Sequence, residues 1–220
     1  MVVVTADGTP FDGEAAARYE DWYTSGKGAR LDAIEKRMLA EALSGRSGES
    51  LLEVGCGTGH FSRFFAEIGF SVTGVDVSPP MLETARRLAV EEDYLLADAC
   101  GLPFPDDTFD VVAFVTTIEY LRSPVEAFVE AFRTARSLLL VGFLNRWSAT
   151  AARRRVRAWL KGGVFATAKF YGPRGVLRLL KAAADRAGVG VDLLKPRGSW
   201  LNAGGMALGA FCVTGARLIR

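Results

Sequence analysis

The chain has 220 residues, half of them apolar, with 27 Lys/Arg against 25 Asp/Glu and a formal net charge of +2. That length suits one domain with a core of its own and is short for two. Three cysteines without CxxC spacing and a single histidine, His60, argue against a disulfide framework, a metal centre and a Ser-His-Asp hydrolase, and no apolar run approaches the roughly 20 residues of a membrane-spanning helix.

The net charge hides a split. Residues 1–137 carry 12 Lys/Arg and 23 Asp/Glu, whereas residues 138–220 carry 15 and 2. Such asymmetry marks a candidate surface for anionic partners. Met1-Val2-Val3-Val4 lacks a basic lead and a long apolar stretch, so no signal peptide is expected, and the free thiols suit a cytoplasmic setting.

In chain order, residues 12–45 read as helical, with Leu31, Ile34, Met38, Leu39 and Ala42 on one apolar face. Strands are predicted at Ser50–Val54, Ser71–Val75, Tyr94–Ala97, Phe109–Val115 and Ser137–Phe143. Helices at Gly59–Ile68, Pro79–Leu88 and Pro124–Thr134 alternate with them. Unbroken apolar runs around Val111 and Leu139 fit strands covered on both faces. A basic helix follows at Ala149–Lys161, then a helix at Pro173–Ala187 closed by Gly188. Final strands are predicted at Gly190–Leu194 and Ala207–Thr214, with Gly198 to Gly205 as their loop.

The chemistry concentrates where the first strand meets its helix. Glu53-Val54-Gly55-Cys56-Gly57-Thr58-Gly59 lets backbone approach a ligand and aims helix N–H groups at it. The dinucleotide fingerprint would need a third glycine where His60 stands. Asp76 ends the second strand, where a carboxylate meets ribose hydroxyls, and Asp98 ends the third, where an acid can accept from an adenine amino group. Ligands of open α/β sheets bind at these carboxyl ends.

With these segments in order, the chain resembles the class I S-adenosylmethionine-dependent methyltransferases of the broad methyltransferase 11/25 type. Glu53 to Gly59 matches the first motif of that family. Gly74-Val75-Asp76-Val77-Ser78-Pro79-Pro80-Met81-Leu82 matches the second. Asp98-Ala99 with Leu102-Pro103-Phe104, and Phe109-Asp110-Val111-Val112, match the next two; beyond about residue 145 the likeness is architectural only. The resemblance implies a Rossmann-like α/β fold: a seven-stranded, mostly parallel sheet with an antiparallel last strand and helices on both faces. It implies S-adenosylmethionine as cofactor and S-adenosylhomocysteine as product. Gly55, Cys56, Gly57 and Gly59 would line the methionine and ribose portion, and Asp76 would take the ribose hydroxyls. Val77 and Met81 would flank the adenine, and Asp98 and Ala99 would read its edge. Glu53 would support the loop or the ammonium, Thr116 would lie near the methyl donor, and Tyr19 would reach the cofactor carboxylate from an N-terminal segment that closes over it.

On this reading the chain is one methyltransferase domain: a helical lid over 1–48, a cofactor-binding core over 49–145, a basic insert or substrate cap over 146–172, and a C-terminal helix and two strands over 173–220. Glu119, just past the fourth strand, is the candidate general base, and Tyr23, Asn145 and Arg146 are candidate substrate contacts. No metal is expected. Six cations and no acid lie between Arg146 and Lys161. They fit a solvated helix face, a cap for an anionic small molecule, peripheral contact with anionic lipid, or, ranked lowest, RNA. The oligomeric state is not legible. The expected function is methyl transfer to a small molecule; the rivals are an RNA methyltransferase, a non-catalytic cofactor-binding protein and a dinucleotide oxidoreductase.

Overall fold

The structure, a computed structural model, describes residues 13–89, 92–148, 150–153, 165, 167–203 and 206–219. Its elements are α1 (Gly13–Thr24), α2 (Gly26–Ala42), β1 (Ser50–Val54), α3 (His60–Glu67), β2 (Ser71–Asp76), α4 (Pro79–Leu88), β3 (Asp93–Leu96), β4 (Phe109–Val115), α5 (Pro124–Thr134), β5 (Ala135–Leu144), α6 (Pro173–Ala187), β6 (Gly190–Ala203) and β7 (Met206–Ile219). The seven strands form one sheet in the order β3-β2-β1-β4-β5-β7-β6. Strands β3 to β5 in that order are parallel, and β7 runs antiparallel to both neighbours, β5 and β6.

Alternate residues of the central strands feed two cores. Val112 and Phe114 join Phe128 and Phe132 of α5 and Val176 and Leu180 of α6 on one face. Val111, Ala113 and Val115 join Leu39 of α2, Phe65 of α3 and Phe211 of β7 on the other. The period of two in β4 therefore serves both faces, which is why the strand is apolar throughout. Burying each of these phenylalanine rings contributes about 2–3 kcal/mol.

The order of the chain reverses beside β1, which pairs with β2 on one side and β4 on the other. Successive crossovers leave in opposite directions from this point, so a crevice opens at the carboxyl ends of β1 and β4. The fold places the glycine loop and the segment after β4 side by side there.

Three local expectations are corrected. The N-terminal helix is two helices, because Ser25 stops the first and caps the second, accepting from Gly28 N at 3.1 Å. The expected loop over 198–205 is replaced by strand up to Ala203 and again from Met206. Lys195-Pro196-Arg197-Gly198 reads as a breaker, but β6 is the edge of the sheet and its register shifts between Leu194 and Arg197, which accommodates a proline without loss of a central ladder bond. The strand over 135–144 begins before Ser137. Of the basic helix, residues 150–153 are helical, and Ala149 and residues 154–161 lie outside the described residues. Among the described residues, no helix is long and apolar enough to cross a membrane.

Candidate active site

Backbone bonds to the neighbouring strand shape the glycine loop. Gly55 N and Cys56 N both donate to Val75 O, at 2.7 and 3.0 Å, and Gly59 N donates to Cys56 O at 2.9 Å. Gly55 and Gly59 sit at φ of 75° and 73°. A Cβ on Gly55 would lie 2.2 Å from Thr117 Cγ2, and one on Gly59 2.4 Å from the Tyr94 hydroxyl. Packing beneath the loop excludes side chains there. Gly57 differs, since a Cβ at that position meets nothing within 4 Å. Its bare backbone faces open space.

Asp76 ties this loop to the end of β2. Its Oδ2 accepts from Gly57 N and its Oδ1 from Ser78 N, both at 2.8 Å. Burial pushes its pKa above the ordinary aspartate value, and N–H donors from Ser78, Gly57 and Val77 pull it back. Ala97 N donates to Asp76 O at 3.1 Å, which brings the end of β3 alongside. Just beyond, Asp98 is exposed, and its Oδ1 accepts from Cys100 N at 2.9 Å. Ala99 is half-buried, as is Val77, and Met81 is buried in the first turn of α4.

Glu53 lies inside β1, buried, and its Oε2 accepts from Ser62 Oγ at 2.5 Å. Burial raises its pKa to about 8. At neutral pH the group is therefore mostly protonated, a polar bolt between β1 and α3. Across the crevice, Thr116 adopts φ of 51°, a strained state for a β-branched residue, held by its N–H donating to Gly142 O at 2.8 Å. Tyr19 of α1 lies over this point. Its phenol is shifted up by burial first, with hydrogen bonding to Tyr23 and Thr116 opposing and the charges of Glu35 and Asp76 adding. The structure thus gathers Gly57, Asp76, Thr116 and Tyr19 around one space.

Two helices are fastened across the glycine loop by side chains. Glu20 accepts from Thr58 Oγ1 at 2.5 Å and from Arg63 Nη2 at 2.9 Å. His60 Nε2 stands 2.7 Å from Asp32 Oδ1, and its Nδ1 is 3.8 Å from Glu20 Oε2. Its ring stacks on Tyr23 at 3.5 Å and 8°. Tyr23, expected at the substrate, is placed against this histidine.

A second cluster forms at the end of β5. Glu119 is buried, its Oε1 accepting from Leu144 N at 2.5 Å, and its carbonyl accepts from Lys169 N at 2.7 Å. Asn145 is buried, bridged to Tyr171, and its Oδ1 accepts from Trp147 N at 3.2 Å. Arg146 and Trp147 are exposed, with the guanidinium 4.9 Å from the indole centre. The Tyr171 hydroxyl is buried without a hydrogen-bond partner.

Comparison with known proteins follows the same outline. Residues 52–138 match the family model described as "Methyltransferase domain". Malonyl-[acyl-carrier protein] O-methyltransferase of Serratia marcescens is 34% identical over 138 residues, covering 58% of this chain and 54% of that protein. A ubiquinone/menaquinone biosynthesis C-methyltransferase of Ruegeria sp. is 38% identical over 114 residues, covering 48% of this chain and 46% of that protein. Residues 52–138 of the chain thus carry the likeness to a methyltransferase domain. The chain spans about half the length of the curated relatives it matches. In fold, the chain is similar over 93% of its length to a SAM-dependent methyltransferase of Thermotoga maritima, described as a possible histamine N-methyltransferase (TM-score 0.68, 23% identity, 97% of that chain). It is likewise similar to magnesium protoporphyrin IX methyltransferase of Synechocystis with bound SAH (TM-score 0.67, 14% identity, 94% of this chain and 95% of that one).

The cofactor of the family is S-adenosylmethionine, and the residues present fit it. Gly57 leaves open backbone beside the buried Asp76 carboxylate, and Asp98 stands exposed one strand along. Three residues of this site escaped sequence reasoning. Thr117 makes Gly55 obligatory, since its Oγ1 also donates to Gly55 O at 3.2 Å. Glu20 and Asp32 fasten the lid. Nothing local marks the last two, because their partners lie 38 and 28 residues away in sequence. Thiol chemistry offers a check on the geometry. Cys56 and Cys212 are buried and Cys100 is exposed; burial raises the Cys100 thiol to about 11 and the Cys212 thiol to about 12. Alkylation of the native protein, followed by mass spectrometry, is expected to label Cys100 slowly and the other two only on unfolding. Labelling of Cys56 at the rate of Cys100 would contradict the packing of the loop.

Proposed function

We propose that this chain transfers a methyl group from S-adenosylmethionine to a small-molecule acceptor by in-line displacement. The observation that carries the reading is the juxtaposition of Gly57, Asp76 and Thr116 at the reversal of strand order, with the bare loop backbone facing open space. Asp76 takes the ribose hydroxyls, Asp98 and Ala99 read the adenine edge, Val77 and Met81 flank the ring, and Gly55 to Gly59 admit the methionine portion, with Glu53 bracing the loop from behind. Tyr19 closes the site from above. When bound, the sulfonium supplies an activated methyl and leaves as S-adenosylhomocysteine, so the protein has mainly to align donor and acceptor.

The acceptor side is the cluster at the ends of β4 and β5. Glu119 would take a proton where the acceptor carries one, and the exposed Arg146 would contact the acceptor at the rim, with Asn145 buried behind it as its support. The relatives' names, which speak of malonyl-[acyl-carrier protein] and of ubiquinone/menaquinone biosynthesis, support a metabolic acceptor rather than RNA. Incubation with methyl-labelled cofactor and a metabolite extract, in parallel with bulk RNA and anionic vesicles carrying lipophilic metabolites, tests this. Label in the low-molecular-weight or lipid-extracted fraction is expected. Label confined to RNA, or cofactor binding with no labelled product anywhere, would overturn it.

A further inference from the structure

We propose that His60 is a positioning residue for the cofactor, the pin that locks α1 and α2 across the glycine loop, so that its protonation sets how tightly the adenosyl cofactor is held. The inference rests on the methyl-transfer reading only through the identity of the cofactor.

The geometry makes His60 a junction. It opens α3, directly after Gly59, and so moves with the loop that meets the cofactor. From there it reaches both lid helices, Asp32 on α2 at 2.7 Å and the ring of Tyr23 on α1 at 3.5 Å. Glu20 reinforces the same joint from α1, bonded to Thr58 of the loop and to Arg63 one turn further along α3. The lid so pinned carries Tyr19 across Asp76 and Thr116. Any movement of α1 away from Asp76 and Thr116 would have to break this joint. Loop backbone, lid and cofactor space therefore share one fastening.

The charges around the ring say when the fastening holds. Glu20 and Tyr23 face it from α1, Asp32 and Lys36 from α2, the buried Glu53 from β1, and Arg63 from its own helix; Glu35 stands behind Tyr19 and Tyr23. Burial opposes a charged His60, but its bonds to Asp32 and Glu20 outweigh that and lift its pKa above the ordinary value. Glu20 is shifted against its burial to about 2 by His60, Thr58 and Arg63, and Asp32 is likewise lowered, so both stay ionised near neutrality. His60 and the buried Glu53, raised to about 8, both titrate in that window, and a variant at His60 separates the two. The contribution of His60 is complete below the free histidine value of about 6.5 and is lost as pH rises through the lifted value.

The test is calorimetric titration of the full chain with S-adenosylhomocysteine at about pH 6 and about pH 8.5. For the wild type, affinity is expected to fall about tenfold between the two, about the weight of one charged hydrogen bond. His60→Gln keeps a hydrogen-bonding side chain but no titratable charge. It is expected to bind at both pH values as weakly as the wild type does at the higher one, while amide exchange of residues 13–42 accelerates. Where that variant fails to unfold cooperatively, Asp32→Asn reads the same joint from the other side and is expected to flatten the pH dependence. Wild-type affinity in His60→Gln at about pH 6, or an undiminished pH dependence in whichever variant folds, overturns the proposal. A wild type that binds no S-adenosylhomocysteine at either pH overturns the cofactor reading itself and this inference with it.

Discussion

Replacing Asp76 by Ala is expected to weaken binding of S-adenosylmethionine by two to three orders of magnitude, with little change in thermal unfolding. The carboxylate is the one charged group at the carboxyl end of β2 that the loop backbone itself orients, through Gly57 N and Ser78 N. Each oxygen accepts one of these bonds and has a further lone pair to offer a ligand hydroxyl. Truncating one partner of a buried, hydrogen-bonded charged contact costs about 2–5 kcal/mol, and each 1.4 kcal/mol is tenfold in affinity. Asp76→Asn keeps one carbonyl oxygen and should fall between. Because burial raises this carboxyl's pKa, protonation begins nearer neutrality than for a surface aspartate, and wild-type affinity should decline on acidification through that raised value. Calorimetry across pH checks both points. A loss below threefold in Asp76→Ala would remove the ribose assignment.

Gly55→Ala is expected to carry the largest stability cost of any single-methyl change in the loop. The residue would hold φ of 75° against its preference, about 1–2 kcal/mol. Its new Cβ would also stand 2.2 Å from Thr117 Cγ2 and 2.7 Å from Thr117 Oγ1, an overpacking of roughly 1–3 kcal/mol more. The sum, about 2–5 kcal/mol, lowers the denaturant midpoint and shifts the loop away from Val75 O, so cofactor affinity falls too. A double variant with Thr117→Ala removes the collision but not the strain, and should regain roughly half of the loss. Additivity of the two single changes would show that Thr117 is not what the glycine avoids.

Much of the frame was legible because its determinants are local. Phe109–Val115, Pro124–Thr134 and Pro173–Ala187 begin and end where composition changes, at prolines, glycines and the limits of apolar runs, and the structure keeps those bounds. The glycine loop and Asp76 were legible for a similar reason: a turn that needs positive φ and an acid at a strand end are written in a few adjacent residues. The hairpin was not, because Pro196, which has no N–H, forbids a strand only where a ladder donor is needed, and an edge position depends on strand order rather than on sequence nearby. Nor was the lid joint, since a lone histidine declares its partners only once distant helices are folded against it. The acidic half of the chain takes on a more definite meaning there, with Glu20 and Asp32 gripping the two sides of one cation.

The insertion of β7 between β5 and β6 has a consequence for synthesis. Residues 135–144 pair with β4 on one side as soon as both have been made, but their other side waits for residues 211–217, which leave the ribosome some seventy residues later. Until then the nascent chain presents an open, strongly apolar strand border, Leu138 to Leu144, of the kind that recruits other chains. A truncation before Met206 would make that transient exposure permanent, so the cofactor-binding half, although it contains the ligand chemistry, depends for its solubility on a strand translated well after it.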